Sequence, residues 1–288
     1  MKNSKFVSYL FIFPAFLLVV LVLLVPMFQN VYYSFFKWDG ISEPVFNGFR
    51  NYMALFSDSN FLISFRNTIV WVVFTLIFPV MGGLIVAVFL RGLKFENIFK
   101  SVFYIPITIS FVATGIIWNY MYSREIGVIN TLLSLIGVDK ISWLVNVPLN
   151  TFSLLIAWTW QQLGTNMVLF LMGLTAIPAE QTEAAMIEGA TRWQTFIHVI
   201  FPMLRPVTTV VVVMAMANSF KVFDLIYVMT RGGPYRSSET LAVTMFRETF
   251  TMFNMGYGAA VSIVLSIVVI GASAFYLKST LKKDLLYY

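Results

Sequence analysis

Long apolar runs separated by polar segments dominate the chain. Five of these runs contain no charged side chain, and a sixth contains Lys221 and Asp224. A helix rises about 1.5 Å per residue and the hydrocarbon core of a bilayer is about 30 Å thick, so about 20 apolar residues are enough to cross it. The pattern predicts six transmembrane helices, over residues 9–31, 68–90, 102–121, 152–176, 207–229 and 257–277.

Composition supports a membrane protein. Of 288 residues, 59% are hydrophobic and 11% are charged, whereas about a quarter of the residues of a soluble domain are charged. We therefore expect an all-α membrane protein in which residues 1–288 form a single transmembrane domain. The chain has no cysteine and a single histidine, His198, so we expect no thiolate or histidine-rich metal site. His198 has no neighbours in the sequence that suit catalysis, and we expect no catalytic residues.

The distribution of basic residues predicts the orientation in the membrane. The net charge of +6 comes from Lys and Arg that flank the apolar runs, and this distribution does not indicate nucleic-acid binding. With six spans, both termini and the segment between spans four and five lie on one side. That side holds ten Lys and Arg, against eight on the other side in longer and more acidic loops. The positive-inside rule places the termini in the cytoplasm of a multi-pass cell-membrane protein.

The segment between spans four and five, residues 178–202, has the pattern of two short helices. Pro178 suits a helix start, and Gly189 suits a helix end because glycine readily adopts the left-handed conformation. Thr191 followed by Gln194 is a capping-box pattern that begins a second helix, and Pro202 marks its end. This pattern alone also fits an ordinary amphipathic connector on the membrane surface.

The residues of this segment resemble the EAA loop of ABC importer permeases. That loop has the pattern E-A-A, three residues, G, nine residues, I-x-L-P. The matching positions are Glu183, Ala184, Ala185, Gly189 and Pro202, and Val199 and Phe201 are conservative departures. The stretch 188–194, Glu-Gly-Ala-Thr-Arg-Trp-Gln, is similar to the carbohydrate-uptake members of the family.

Two further segments strengthen the resemblance. Asn51-Tyr52, with Asp58, Phe61 and Asn67-Thr68, resembles the entry to the family's core membrane domain. Residues 223–227, 232–234 and 239–241 resemble the permease class that includes the maltose-importer F and glycerol-phosphate-importer A subunits. The resemblance implies a type I ABC importer permease with a cytoplasmic coupling helix between spans four and five, in a bacterium or an archaeon.

The resemblance also implies partners and a division of labour. A second homologous permease, two ATP-binding subunits and an extracytoplasmic sugar-binding protein would complete the importer, surrounded by membrane lipid. The residues expected to couple to the ATPase are Glu183, Ala184, Ala185, Gly189 and Arg192. The chain has no G-x4-G-K-[S/T] phosphate loop, so ATP and Mg²⁺ would be bound by the partner subunits and this chain would not be an enzyme.

Polar residues inside spans four and five are candidates for contact with a sugar, because amides and hydroxyls can bond to sugar hydroxyls. By resemblance, the expected substrate-binding residues are Gln161, Gln162, Thr165, Asn166, Asn218 and Lys221. Lys221 and Asp224 could instead simply pair with each other, because they lie one helical turn apart. Lys221 also leaves open an anionic substrate.

Three other functions fit some features of the sequence. An ion-coupled secondary carrier for a small polar solute is the main alternative, although Asp224 is the only acid within a predicted span and such carriers usually need more. A membrane enzyme would need clustered Asp, His or Ser-Lys chemistry. A permease of the same superfamily with an unrelated substrate is the third alternative.

Overall fold

The computed structural model describes residues 2–284, with side chains over residues 9–280, and most of these residues are helical. The helices are α1 (Lys2–Val19), α2 (Val25–Tyr33), α3 (Arg50–Ser57), α4 (Ser59–Thr75), α5 (Met81–Leu90), α6 (Glu96–Tyr104), α7 (Phe111–Met121), α8 (Val128–Ser134), α9 (Leu149–Thr175), α10 (Ala179–Ile187), α11 (Arg192–Thr195), α12 (Phe201–Met203), α13 (Arg205–Phe220), α14 (Asp224–Met229), α15 (Leu241–Phe246) and α16 (Met255–Asp284). Two short antiparallel strands, β1 (Phe36–Lys37) and β2 (Val45–Phe46), pair with each other.

Within residues 2–284, three helical stretches are long and apolar enough to cross a membrane alone. They are Tyr9–Tyr33, Ser59–Leu90 and Met255–Thr280. Three bent pairs pass the same test only together: Glu96–Thr108 with Phe111–Met121, Leu149–Thr175 with Ala179–Ile187, and Arg192–Met203 with Arg205–Phe220. The described residues therefore provide three clear spans, and up to six if each bent pair counts as one.

Two of the predicted spans are interrupted. In the run 102–121, a 3₁₀ turn at Ile105–Thr108 contains Pro106, and the helices on either side meet at 101°. Proline lacks the N–H that an α-helix needs at this point, and Ser110 caps the new helix by accepting from the Ala113 amide. In the run 207–229, the helix stops at Phe220 and restarts at Asp224.

Residues 2–62 together with Thr244–Ile267 form one compact unit. Asn51 Nδ2 donates to the backbone oxygens of Ser34 at 2.8 Å and Phe36 at 2.9 Å. Gly256 allows the backbone to pass close to β1, since a Cβ there would overlap the Phe36 carbonyl oxygen. In the turn after β1, the backbone amides of Ile41 and Ser42 lower the pKa of Asp39 to about 2.

Ile63–Val243 together with residues 268–284 form the second unit, and α9 runs through its core. A Cβ at Gly83 of α5 would lie 2.6 Å from Asn166 Cβ, and a Cβ at Gly164 would overlap the Phe103 carbonyl oxygen of α6. These glycines allow the neighbouring helices to approach α9 closely. Apolar clusters around Trp158 and around Phe170 fill the space on either side.

This close approach gives a first prediction. We expect Gly164→Ala to lower the free energy of unfolding by about 1–3 kcal/mol, because the added methyl group meets backbone atoms that cannot rotate away. Thermal unfolding of the purified protein in detergent measures the effect.

The matched control is Gly271→Ala in α16, where a Cβ meets nothing within 4 Å and no loss is expected. Equal midpoints for the two variants would contradict the packing described for α9.

Candidate functional site

A cavity of about 380 Å³ lies in the second unit, where α9 faces the interruption between α13 and α14. Its wall combines aromatic, amide, hydroxyl and charged side chains. The lining residues are Ile107, Phe111, Trp158, Gln162, Thr165, Met214, Asn218, Lys221, Val222, Phe223, Asp224 and Leu225.

Helix α9 contributes three side chains to the cavity wall, at positions set by helical periodicity. Trp158, Gln162 and Thr165 stand four and three residues apart, so they share one face of the helix. Trp158 is almost fully buried at 2% exposure, and Phe111 stacks on it with ring centroids 5.2 Å apart and planes at 13°. The result is a stacked aromatic pair, in which Trp158 is the buried member, with an amide and a hydroxyl beside it.

The interruption between α13 and α14 contributes the charged residues. Lys221 follows the last residue of α13 and has φ −96° and ψ 6°, and Phe223 precedes α14 with φ −132° and ψ −61°. Lys221 and Asp224 are both exposed. Among the described residues the two form no ion pair, because the helical turn that would bring them together is absent. This structure therefore does not support the alternative in which the two side chains simply pair.

Of the six residues predicted to contact a substrate, Gln162, Thr165, Asn218 and Lys221 line the cavity. Gln161 is buried, and its Nε2 donates to the Ile109 backbone oxygen at 2.7 Å. Asn166 is buried where α5 packs on α9. Gln161 and Asn166 therefore do not line this cavity, because both side chains lie in helix contacts, and their contact with a substrate stays a prediction.

Two polar atoms at the cavity wall are left without protein partners. Trp158 Nε1 and Thr165 Oγ1 are buried, and neither has a hydrogen-bond partner among the described residues. Buried polar groups are usually satisfied, so these atoms suit a ligand that carries hydroxyl groups. The aromatic residues Phe111 and Phe223 were not predicted as lining residues, since an isolated phenylalanine in an apolar run gives no sequence signal.

A second candidate surface is the hairpin formed by α10, the turn at residues 188–190 and α11. Gly189 has φ +88°, its amide donates to the Met186 oxygen at 3.1 Å, and the Ala190 amide donates to the Ala185 oxygen at 3.0 Å. This is the Schellman pattern of helix termination. The sequence-based prediction of a helix end at Gly189 is confirmed.

The second helix of the hairpin is fixed by the predicted capping box. Gln194 Oε1 accepts from the Thr191 amide at 2.8 Å, and Thr191 Oγ1 accepts from the Gln194 amide at 3.3 Å. His198 is exposed, and its Nδ1 lies 3.0 Å from the Gln194 backbone oxygen. Local hydrogen bonds therefore define the shape of the hairpin.

The hairpin presents apolar side chains to its surroundings. Ile187 is 87% exposed, Trp193 is 69% exposed and Met186 is 50% exposed. Glu183, Ala184, Gly189 and Arg192 are also exposed, and Ala185 is half-buried. Exposed apolar groups beside small residues and charges are typical of a surface that a partner covers.

Comparisons with known proteins agree on one family. Residues 79–286 match the family described as "Binding-protein-dependent transport system inner membrane component". The chain is 33% identical to the probable ABC transporter permease protein YurN of Bacillus subtilis, over 96% of this chain and 97% of that protein. It is 30% identical to the probable starch degradation products transport system permease protein AmyD of Thermoanaerobacterium thermosulfurigenes, over 98% of both chains.

Solved structures share the fold. A chain of a bacterial ABC transporter involved in the import of the acidic polysaccharide alginate superposes with a TM-score of 0.87 at 20% identity, over 97% of this chain and 96% of that chain. A chain from the bacterial alginate ABC transporter in complex with an alginate pentasaccharide-bound periplasmic protein gives a TM-score of 0.85 at 20% identity, over 95% of this chain and 93% of that chain.

The separation of Lys221 from Asp224 gives a second prediction. In a double-mutant cycle of Lys221→Gln and Asp224→Asn, we expect a coupling energy below about 0.5 kcal/mol, because groups that do not interact contribute additively. Thermal unfolding of the two single variants and the double variant measures it. A coupling of about 1 kcal/mol or more would show that the two side chains pair.

Proposed function

Because this chain belongs to the family of inner membrane components of binding-protein-dependent transport systems, we propose that it forms half of the path by which an ATP-driven importer carries a sugar across the membrane. The chain is a permease subunit of a sugar ABC importer, with the type I importer permease fold. It is a transporter component and not an ATPase. The substrate class follows relatives such as AmyD, whose name refers to starch degradation products.

The exposed hairpin supports the proposal that this chain is coupled to an ATP-binding subunit. Its shape is fixed by the Schellman turn at Gly189 and the capping box at Thr191, while Ile187 and Trp193 are left uncovered. We propose that an ATP-binding subunit accepts this hairpin in a groove, with Glu183 and Arg192 contacting its edges. A hairpin that is rigid and amphipathic can transmit a push or pull without changing its own shape.

The lining of the cavity supports the proposal that the chain binds a sugar. The half-buried Phe111, which stacks on the buried Trp158, suits the C–H face of a sugar ring, and Gln162 and Asn218 supply amide groups for its hydroxyls. Thr165 and Lys221 complete the proposed contacts. We propose that these side chains form one half of a transient site, and that a second, homologous permease contributes the other half.

The proposed cycle is alternating access in an assembly of this permease, a second permease, two ATP-binding subunits and an extracytoplasmic binding protein. Six spans would place both termini and the hairpin in the cytoplasm, in agreement with the distribution of Lys and Arg. Closure of the ATP-binding subunits would move the hairpins, and the two permeases would tilt to open the cavity to one side at a time. An ion-coupled carrier is not favoured, because the family works with a binding protein.

The docking of the hairpin gives a third prediction. Gly189→Asp would place an unpaired charge in the interface, which weakens docking by on the order of 3 kcal/mol. We expect sugar uptake by the reconstituted importer to fall at least about tenfold. Uptake into vesicles, together with co-purification of the ATP-binding subunits, measures the effect.

Gly92→Asp is the matched control, because Gly92 has a similar positive φ of +80° and a Cβ there also meets nothing within 4 Å. It introduces the same charge and the same backbone strain outside the hairpin, so uptake should be kept. Normal uptake with Gly189→Asp would refute the docking role.

The neighbouring glutamines of α9 give a fourth prediction. Gln162→Ala removes an amide from the cavity, and we expect uptake of the preferred sugar to fall about two- to tenfold, in line with the loss of one hydrogen bond. The preferred sugar is chosen beforehand from a panel of maltooligosaccharides and glycosides, by stimulation of ATPase activity in the complex.

Gln161→Ala should instead lower the unfolding temperature, because it removes the bond to the Ile109 carbonyl. A fall in uptake for Gln161→Ala with unchanged stability, or unchanged uptake for Gln162→Ala, would contradict the assignment of these two side chains.

A further inference from the structure

The loop of residues 230–240, between α14 and α15, is held by a dense set of polar contacts, and we call it the brace loop. Arg236 forms a bidentate ion pair with Glu239, with Nη2 at 2.7 Å from Oε1 and Nε at 2.9 Å from Oε2. The Glu239 side chain is fully buried. The Thr230 and Ser238 hydroxyls lie 2.9 Å apart and close the base of the loop.

Two asparagines from neighbouring helices fix the backbone of the brace loop. Asn150 Nδ2 donates to the Gly233 oxygen at 2.9 Å and to Ser237 Oγ at 2.8 Å. Asn67 Nδ2 donates to the backbone oxygens of Ser237 at 2.7 Å and Glu239 at 2.9 Å. The loop is therefore anchored to both α4 and α9 of the second unit.

The brace loop also holds an unfavourable backbone. Arg231, Tyr235 and Arg236 have φ of 51°, 50° and 62°, in the left-handed region that side chains other than glycine rarely adopt. Such conformations persist when the surrounding contacts over-determine them, and they cluster at functional positions. In the brace loop, Asn67, Asn150 and Glu239 provide these contacts.

The end of the brace loop reaches the interruption in the cavity wall. Thr240 Oγ1 donates to the Val222 backbone oxygen at 3.1 Å, and the next amide, of Leu241, donates to Thr68 Oγ1 at 3.0 Å. Thr240 is fully buried and Val222 is 4% exposed. The bond gives the Val222 carbonyl a partner at the point where the helical ladder has stopped.

We infer that Thr240 is a positioning residue, which keeps the helix open at residues 221–223 so that Lys221 faces the cavity. A buried carbonyl without a partner is unfavourable. Without the Thr240 hydroxyl, the carbonyl regains a partner if the α13 helix continues. The continued helix would redirect residues 222–224 and close the opening beside Lys221. The identity of the cavity as a sugar site rests on the proposed function, but the geometry of the interruption does not.

The chain contains no cysteine, so a single introduced thiol can report on this geometry. The parent for this experiment is Lys221→Cys, co-expressed in membranes with the partner subunits. We measure the rate at which its thiol reacts with a small charged methanethiosulfonate reagent, without any sugar. We expect Thr240→Val to lower this rate by up to about fivefold, because the loss of one hydrogen bond changes the equilibrium between the interrupted and the continued helix by about that factor. Thr240→Ser keeps the hydroxyl and should restore the rate of the parent.

Thr114→Val is the matched control, because Thr114 is fully buried and its hydroxyl has no hydrogen-bond partner among the described residues. It should leave the rate unchanged. If Thr240→Val is not recovered in membranes, Thr240→Ala removes the same hydroxyl with a smaller side chain.

The inference is overturned if the parent thiol does not react, if loss of the hydroxyl leaves the rate unchanged, or if Thr240→Ser or Thr114→Val slows the reaction as much as Thr240→Val. Since the labelling needs neither substrate nor binding protein, its outcome stands even if no sugar is transported.

Discussion

The structure depends on one constraint, which is that backbone polar groups inside an apolar surrounding must have partners. Where helices run unbroken, the helix itself meets the constraint. Where they break, side chains do so: Gln161 binds the Ile109 carbonyl at the bend before α7, and Thr240 binds the Val222 carbonyl between α13 and α14. Both breaks border the cavity, so the same departures from helical structure that need support also create the space for a ligand.

The hairpin and the cavity differ in the range of the interactions that determine their shape. The hairpin is closed by bonds between residues at most five apart along the chain, so its shape is determined largely by local interactions. The cavity wall is built from segments far apart in sequence, such as α9 and the interruption between α13 and α14, and its shape depends on how these segments pack. The proposed cycle would use both properties, because the hairpin would receive force while the contacts of the cavity wall rearrange.

The same difference explains how far the sequence could predict the structure. The end of α10 at Gly189 and the capping box at Thr191 were predicted to the residue, because local chemistry determines them. Gln161 and Gln162 are adjacent and chemically identical, and only helix rotation and packing against the bend at Ile109 decide which of them faces the cavity. The interruption after Phe220 was missed because the Thr240 hydroxyl that stabilises it lies eighteen residues away.

The uncovered apolar side chains of the hairpin have a consequence for how a cell makes this protein. With the hairpin in the cytoplasm, as proposed, Ile187, at 87% exposure, and Trp193 would give a chain without its partner an apolar surface exposed to water. Such a surface attracts chaperones, proteases and other copies of the chain. Synthesis of the subunits in matched amounts therefore protects each one, and an excess of this chain alone would be degraded or would aggregate.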